Sequence, residues 1–148
     1  MMRFLIVSLC CALLYGCDKG ADSPRGFSLP EGNAGEGQVA FVKHRCTDCH
    51  SVRDLPLEEQ SGNQGLSIVL GGQSANVKTY ADIVTSIINP SHRILPRHRA
   101  EGTDEQGDSK MRIYNDVITV TELIDLVAFL QPTYEFMPYY HTRYRAYH

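Results

Sequence analysis

Cys46-Thr47-Asp48-Cys49-His50 sets two thiols three positions apart with an imidazole immediately after them. Thiols at that spacing can add across two vinyl groups and hold a haem by thioether bonds, and the adjacent imidazole can then ligate the iron. A single helical turn would bring the two sulfurs to neighbouring corners of the porphyrin, with His50 projecting over the metal as the proximal ligand. Two other chemistries use paired cysteines. A redox dithiol expects a strand–motif–helix setting, and half of a zinc site expects a second cysteine pair. Neither context is present in the sequence. The pentapeptide therefore points to one haem c, attached covalently through Cys46 and Cys49.

Such a group is installed outside the cytoplasm, and the first residues agree with export. Arg3 precedes an apolar stretch over residues 4–14, broken only by Ser8. A membrane span needs about 20 apolar residues, so this stretch reads as a signal sequence. It runs into Leu14-Tyr15-Gly16-Cys17, which resembles the lipobox of bacterial lipoproteins. That resemblance implies cleavage after residue 16 and lipidation of Cys17. The cysteine count is consistent with it. Of five cysteines, Cys10 and Cys11 leave with the signal and Cys46 and Cys49 take the haem. Cys17 would otherwise be an odd thiol in an oxidising compartment. Two or three acyl chains anchor durably where one alone does not. Asp18 resembles the residue that keeps enteric lipoproteins at the inner membrane, which implies a bacterial protein on the periplasmic side of that membrane.

The 148-residue chain carries 14 basic and 17 acidic side chains, a net charge of −3. Loss of the signal removes Arg3 and makes the balance more acidic. With no basic stripe, a nucleic-acid partner is excluded. The length after residue 16 suits one compact domain. Residues 17–32 read as a lipidated N-terminus and flexible tether, rich in Gly, Pro, Ser and charge. The domain spans 33–131, and 132–148 form a C-terminal extension.

Three helices are expected in that domain. Asn33 and Glu36 have capping-box spacing, and a helix follows from Ala34 to about Arg45, with Val39 and Val42 on one face. Thr79 with Asp82 opens a second helix, whose Tyr80, Ile83, Val84, Ile87 and Ile88 recur at helical spacing until Pro90. Thr119 with Glu122 opens a third. Its stripe of Val120, Leu123, Ile124 and Val127 is widened by Leu126, Phe129 and Leu130 until Pro132. No run of alternating strand residues is evident, so the expected class is all-α: a small domain of three or more helices around the haem, with an aromatic-rich tail.

Over 33–131 the chain resembles the class I single-haem cytochrome c family. The motifs are Gly37 and Phe41 ahead of Cys46-Thr47-Asp48-Cys49-His50, and Phe129 within Leu126-Val127-Ala128-Phe129-Leu130. The resemblance implies that the first and last helices cross, Gly37 allowing close approach and Phe129 filling the gap. It also implies a methionine as sixth ligand in the loop ahead of the last helix. Met111, in Ser109-Lys110-Met111-Arg112-Ile113-Tyr114, holds that position. A soft, neutral thioether favours Fe(II) and raises the potential. His92 and His98 are the competing ligands, with an open site as the remaining alternative. The family also fixes the proximal histidine through a carbonyl acceptor; residues 65–72 occupy the approximate region, with no acceptor assigned.

Arg93, Arg97, His98 and Arg99 form a basic cluster in this acidic chain. They could neutralise haem propionates, dock an acidic partner, or line a solvated loop. The tail carries Tyr134, Phe136, Tyr139, Tyr140, Tyr144 and Tyr147, a density that argues against free disorder. Met137, His141 and His148 offer copper-type donors. The expected function is a membrane-tethered, periplasm-facing carrier of single electrons between respiratory or oxidoreductase protein partners, and not an enzyme. The alternatives are an open-site haem enzyme or sensor, or a dedicated haem subunit of a larger oxidoreductase.

Overall fold

A computed structural model describes residues 27–56 and 66–137. The signal sequence, Cys17, most of the tether and the tail from residue 138 lie outside the described residues. Helix α1 (Ala34–Lys43), strand β1 (His50–Val52), strands β2 (Ile68–Leu70) and β3 (Gly72–Ser74), helix α2 (Tyr80–Ile88), the short helix α3 (Arg99–Gly102), helix α4 (Val120–Leu130) and strand β4 (Tyr134–Phe136) follow in that order.

The expected all-α class is overturned. The chain is mixed α/β, with four helices and four short parallel strands in two small sheets among the described residues. In one sheet β1 pairs with β2, His50 facing Ile68 and Val52 facing Leu70. In the other β3 pairs with β4, Gly72 facing Tyr134 and Ser74 facing Phe136. Each strand has three residues, too few to display a period of two, which is why no alternation announced them. The glycine pair Gly71-Gly72, with φ of +84° and +82°, turns the chain from the first sheet into the second. A Cβ at Gly71 would crowd Thr133 at 2.7 Å, so the turn also depends on the missing side chain.

Helices α1 and α4 form the main helix pair. A Cβ at Gly37 would overlap the Asp125 carbonyl and stand 2.7 Å from Phe129 Cβ. Phe41 and Phe129 meet with ring centroids 5.7 Å apart and planes tilted by 60°. The buried face of α1 is nevertheless Gly37, Ala40 and Phe41. Val39 is 60% exposed, contrary to the expected Val39–Val42 stripe, and Val120 at the start of α4 is 72% exposed. Small residues, not the valines, mark the contact face because the helix backbones approach closely there. Ile83, Val84 and Ile87 of α2 complete the core with Val52, Leu126 and Leu130.

Both later capping boxes form, Thr79 with Asp82 and Thr119 with Glu122. At α1 only half of the expected box is present. The Asn33 side chain caps Gly35 and Glu36, while the Asn33 amide donates 2.7 Å to Asp125 Oδ1 on α4. A tertiary carboxylate thus replaces Glu36. The end of the tether segment docks on α2, where Tyr80 donates its hydroxyl to the Phe27 carbonyl at 2.7 Å. The extension begins as part of the fold through β4, and the Met137 amide donates to the Ser74 carbonyl. Among the described residues no helix is long and apolar enough to cross a membrane.

Candidate functional site

The pentapeptide lies between α1 and β1. Arg45 takes a left-handed conformation, φ +57°, that reverses the chain out of α1. Such a backbone costs about 1–2 kcal/mol for a residue with a Cβ, offset in part by the Arg45–Asp48 ion pair at 2.8 Å. A 3₁₀ turn then spans Cys46–Asp48, closed by the Cys49 amide donating to the Cys46 carbonyl at 3.2 Å. Side chains three apart eclipse in a 3₁₀ turn, so the turn sets Cys46 and Cys49 on one side. The Ile68 amide donates to the Cys49 carbonyl at 2.9 Å, and His50 then opens β1 in register with Ile68.

Cys46, His50 and Met111 each line both of two neighbouring lobes, about 300 and 420 Å³. Each lobe falls within the ~300–1,000 Å³ typical of cofactor sites. The smaller lobe is walled by Phe41, Ile83, Ile87, Leu126 and Leu130, whereas Cys49 faces only the larger one. Three of the four expected haem residues thus touch both lobes and the fourth touches one. Met137, the other methionine among the described residues, is 43% exposed just beyond β4 and lines neither lobe. His98 lines both lobes, and His92 only the larger. Cys17, His141 and His148 lie outside the described residues.

The electrostatics of the motif run against a reactive dithiol. Burial pushes the Cys46 thiol up to about 11, with the backbone bond to it working the other way. Redox-active Cys-x-x-Cys thiols are held low instead, because the thiolate is the working species. Burial also holds the His50 imidazole below the ordinary histidine range. The Ile68 backbone opposes that shift, and the nearby charge of His98 adds to it. Three buried polar atoms in the pentapeptide lack hydrogen-bond partners: Thr47 Oγ1, Asp48 Oδ1 and His50 Nδ1. A backbone hydrogen-bond interaction with Ile68 raises the His50 imidazole, yet among the described residues Nδ1 meets no acceptor at full hydrogen-bond geometry. Buried polar groups are seldom left so, and a ring drawn toward a ligand in the cavity is one way to relieve it.

The donor set fits a haem: two thiols on one side of a turn, a buried imidazole, a thioether beside the same cavity and an apolar lobe for the ring. Among the described residues no three His, Cys, Asp or Glu side chains converge to hold a bare metal ion. Of the basic cluster, Arg93 and Arg97 line the cavity and Arg99 does not.

Sequence reasoning passed over a second layer. The His44 side chain is only 7% exposed, and its Nε2 lies 3.1 Å from Glu122 Oε1, the same oxygen that Lys43 Nζ reaches at 2.7 Å. Tyr114 donates to the His44 carbonyl at 3.0 Å and meets the His44 ring edge-on. The hydroxyl three residues beyond Met111 hinted at this contact; no local signal marks His44, because its partner is 78 positions away. No family model matches the chain, and no characterised protein or solved structure is significantly similar to it.

Proposed function

We propose that the chain is a c-type cytochrome, lipid-anchored through Cys17 on the periplasmic side of the bacterial inner membrane, that passes single electrons between redox protein partners. The observation that carries this is the convergence of Cys46, His50 and Met111 on the same two lobes, with Cys49 beside them. A bound haem supplies a one-electron couple. The chain's own residues do the rest. Cys46 and Cys49 hold the group, and the β1–β2 pairing fixes the backbone of His50. Core residues Ile83, Ile87, Leu126 and Leu130 exclude water from one lobe. Met111 would offer a neutral thioether to the iron of such a group, a ligand that favours the reduced state. The Met111 loop is tied down: Lys110 donates its amide to the Gly102 carbonyl at 2.9 Å, and Ser109 donates to Ser91 Oγ at 3.0 Å.

A second reading has support in His98, which lines the same two lobes. It makes the protein a haem c enzyme or sensor whose sixth position is open or exchangeable. Absorption spectra with and without carbon monoxide separate the two. Methionine ligation gives a weak red charge-transfer band in oxidised protein and little carbon monoxide binding in reduced protein. Met111→Ala should abolish the band, lower the potential and open the iron, while Met137→Ala and His98→Ala leave all three unchanged. Rapid, complete carbon monoxide binding by wild type would overturn the carrier reading in favour of the open site.

A further inference from the structure

The cations around the cavity are unevenly placed, and the build of a haem makes their placement informative. In a haem the two vinyl-bearing pyrroles lie opposite the two propionate-bearing ones. Thioethers at Cys46 and Cys49 therefore dictate which end of the cavity receives the anionic edge. Cys46 lines both lobes, but Cys49 lines only the larger, as do Arg45, Lys110 and Arg112. Lys78 and Arg97 line only the smaller lobe, with Gln73 and Ser74. We infer that Arg97 and Lys78 hold the propionate edge at the smaller lobe, while Arg45, Lys110 and Arg112 stay at the thioether edge; the inference rests on the haem reading above.

The present partners of these cations fit that division. Arg45 is paired with Asp48 at 2.8 Å, Lys110 Nζ donates to the Glu101 carbonyl at 2.9 Å, and the Arg112 guanidinium stands 5.5 Å from the Tyr114 ring centroid. Arg97 uses only Nε, which donates to His98 Nε2 at 3.0 Å, so its two terminal nitrogens remain available. Lys78 Nζ sits 5.9 Å over the Tyr134 ring. Among the described residues no carboxylate is within ion-pair distance of Arg97 or Lys78. A guanidinium with two parallel donors matches a carboxylate bidentately, and a partly buried propionate with no cation would be strongly disfavoured. Asp82 is the one carboxylate lining the smaller lobe; it caps α2 through Thr79 and faces Arg93 at 3.9 Å. Arg93, His98, His44 and Tyr114, which line both lobes, are the other charged or titratable neighbours besides the proposed haem residues Cys46 and His50, with Tyr134 beyond Lys78.

The test is redox potentiometry of the holoprotein as a function of pH, on samples that first retain their haem through acid–acetone extraction. Haem that extracts freely defeats the haem reading itself, before any question of its propionates arises. A propionate that loses its cation ionises at higher pH, so the pH step in potential should appear or move upward in Arg97→Gln and Lys78→Gln, by about one pH unit. Arg97→Lys should restore most of the wild-type profile. Arg112→Gln, which removes the same charge at the thioether edge, should lower the potential without moving the step. The inference is overturned if Arg97→Gln and Lys78→Gln leave the step in place, or if Arg112→Gln moves it instead.

Discussion

Tyr114 donates its hydroxyl to the carbonyl of His44 across 3.0 Å. That single bond joins the loop that bears Met111 to the residue two before Cys46, so the two ends of the proposed haem ligation share one backbone contact. The His44 ring also meets the Tyr114 ring edge-on, and its Nε2 lies 3.1 Å from Glu122 Oε1 on α4. The motif, the methionine loop and the last helix are thereby coupled through His44.

Removing that hydroxyl tests the coupling. Tyr114→Phe keeps the ring against His44 and loses only the donor. A net loss of about 1 kcal/mol is expected, or a drop of roughly 4 °C in thermal midpoint. An unchanged midpoint would mean that water replaces the bond at no cost.

Gly37→Ala addresses the helix pair. The new methyl would overlap a backbone carbonyl, Asp125 O, which cannot rotate aside. Overpacking of this kind costs about 1–3 kcal/mol, and the upper end is expected because α1 must move off α4. Urea unfolding measures it directly; Gly35→Ala, near only the Asn33 side chain at 3.3 Å, should cost far less. Equal effects at the two glycines would contradict the close approach.

Glu122 predicts a pH dependence. Lys43 first, then the Thr119 backbone and His44, hold its carboxyl down at about 2, against an ordinary 4.5. A carboxylate depressed in the folded state binds fewer protons there than when unfolded, so it stabilises the fold above its unfolded value. That contribution should fade as pH falls from about 4.5 through about 2. The urea midpoint of wild type should decline through this window, and Glu122→Gln should be weaker at neutral pH and flatter in acid. Parallel profiles for the two proteins would show that the pairing adds nothing.

Three of the four helices were legible because their signals are local; the four-residue α3 (Arg99–Gly102) is too short to show a helical period. Thr79 with Asp82 and Thr119 with Glu122 each announce a start within four residues, whereas the pairing of Phe41 with Phe129 was implied only by the family resemblance. The strands were not legible. Ile68-Val69-Leu70 becomes a strand only because β1 lies alongside it, a partnership no short window contains. The exposed Val39 and Val120 misled for a related reason: the contact face of α1 is written in Gly37 and Ala40, which carry little hydropathy. At the proposed site, the pentapeptide singles out Cys46, Cys49 and His50 as candidates, and the family resemblance adds Met111. Lys78, Ile68 and His44 enter through pairings across the fold, and nothing beside them in the chain marks them.

The proposed membrane attachment would rest on Cys17, which lies outside the described residues. Cys17→Ser should release the protein from membrane fractions or block its processing. A wild-type protein that is fully soluble and begins at another residue would contradict lipidation.

Covalent attachment is the central claim, and the intact mass of the protein purified from a host that matures c-type cytochromes tests it most directly. The mass should exceed that of the processed chain by one haem, survive acid–acetone extraction, and fall back to the bare polypeptide in Cys46→Ala/Cys49→Ala. A wild-type mass equal to the polypeptide alone, with any colour extracted into the acetone, would contradict it.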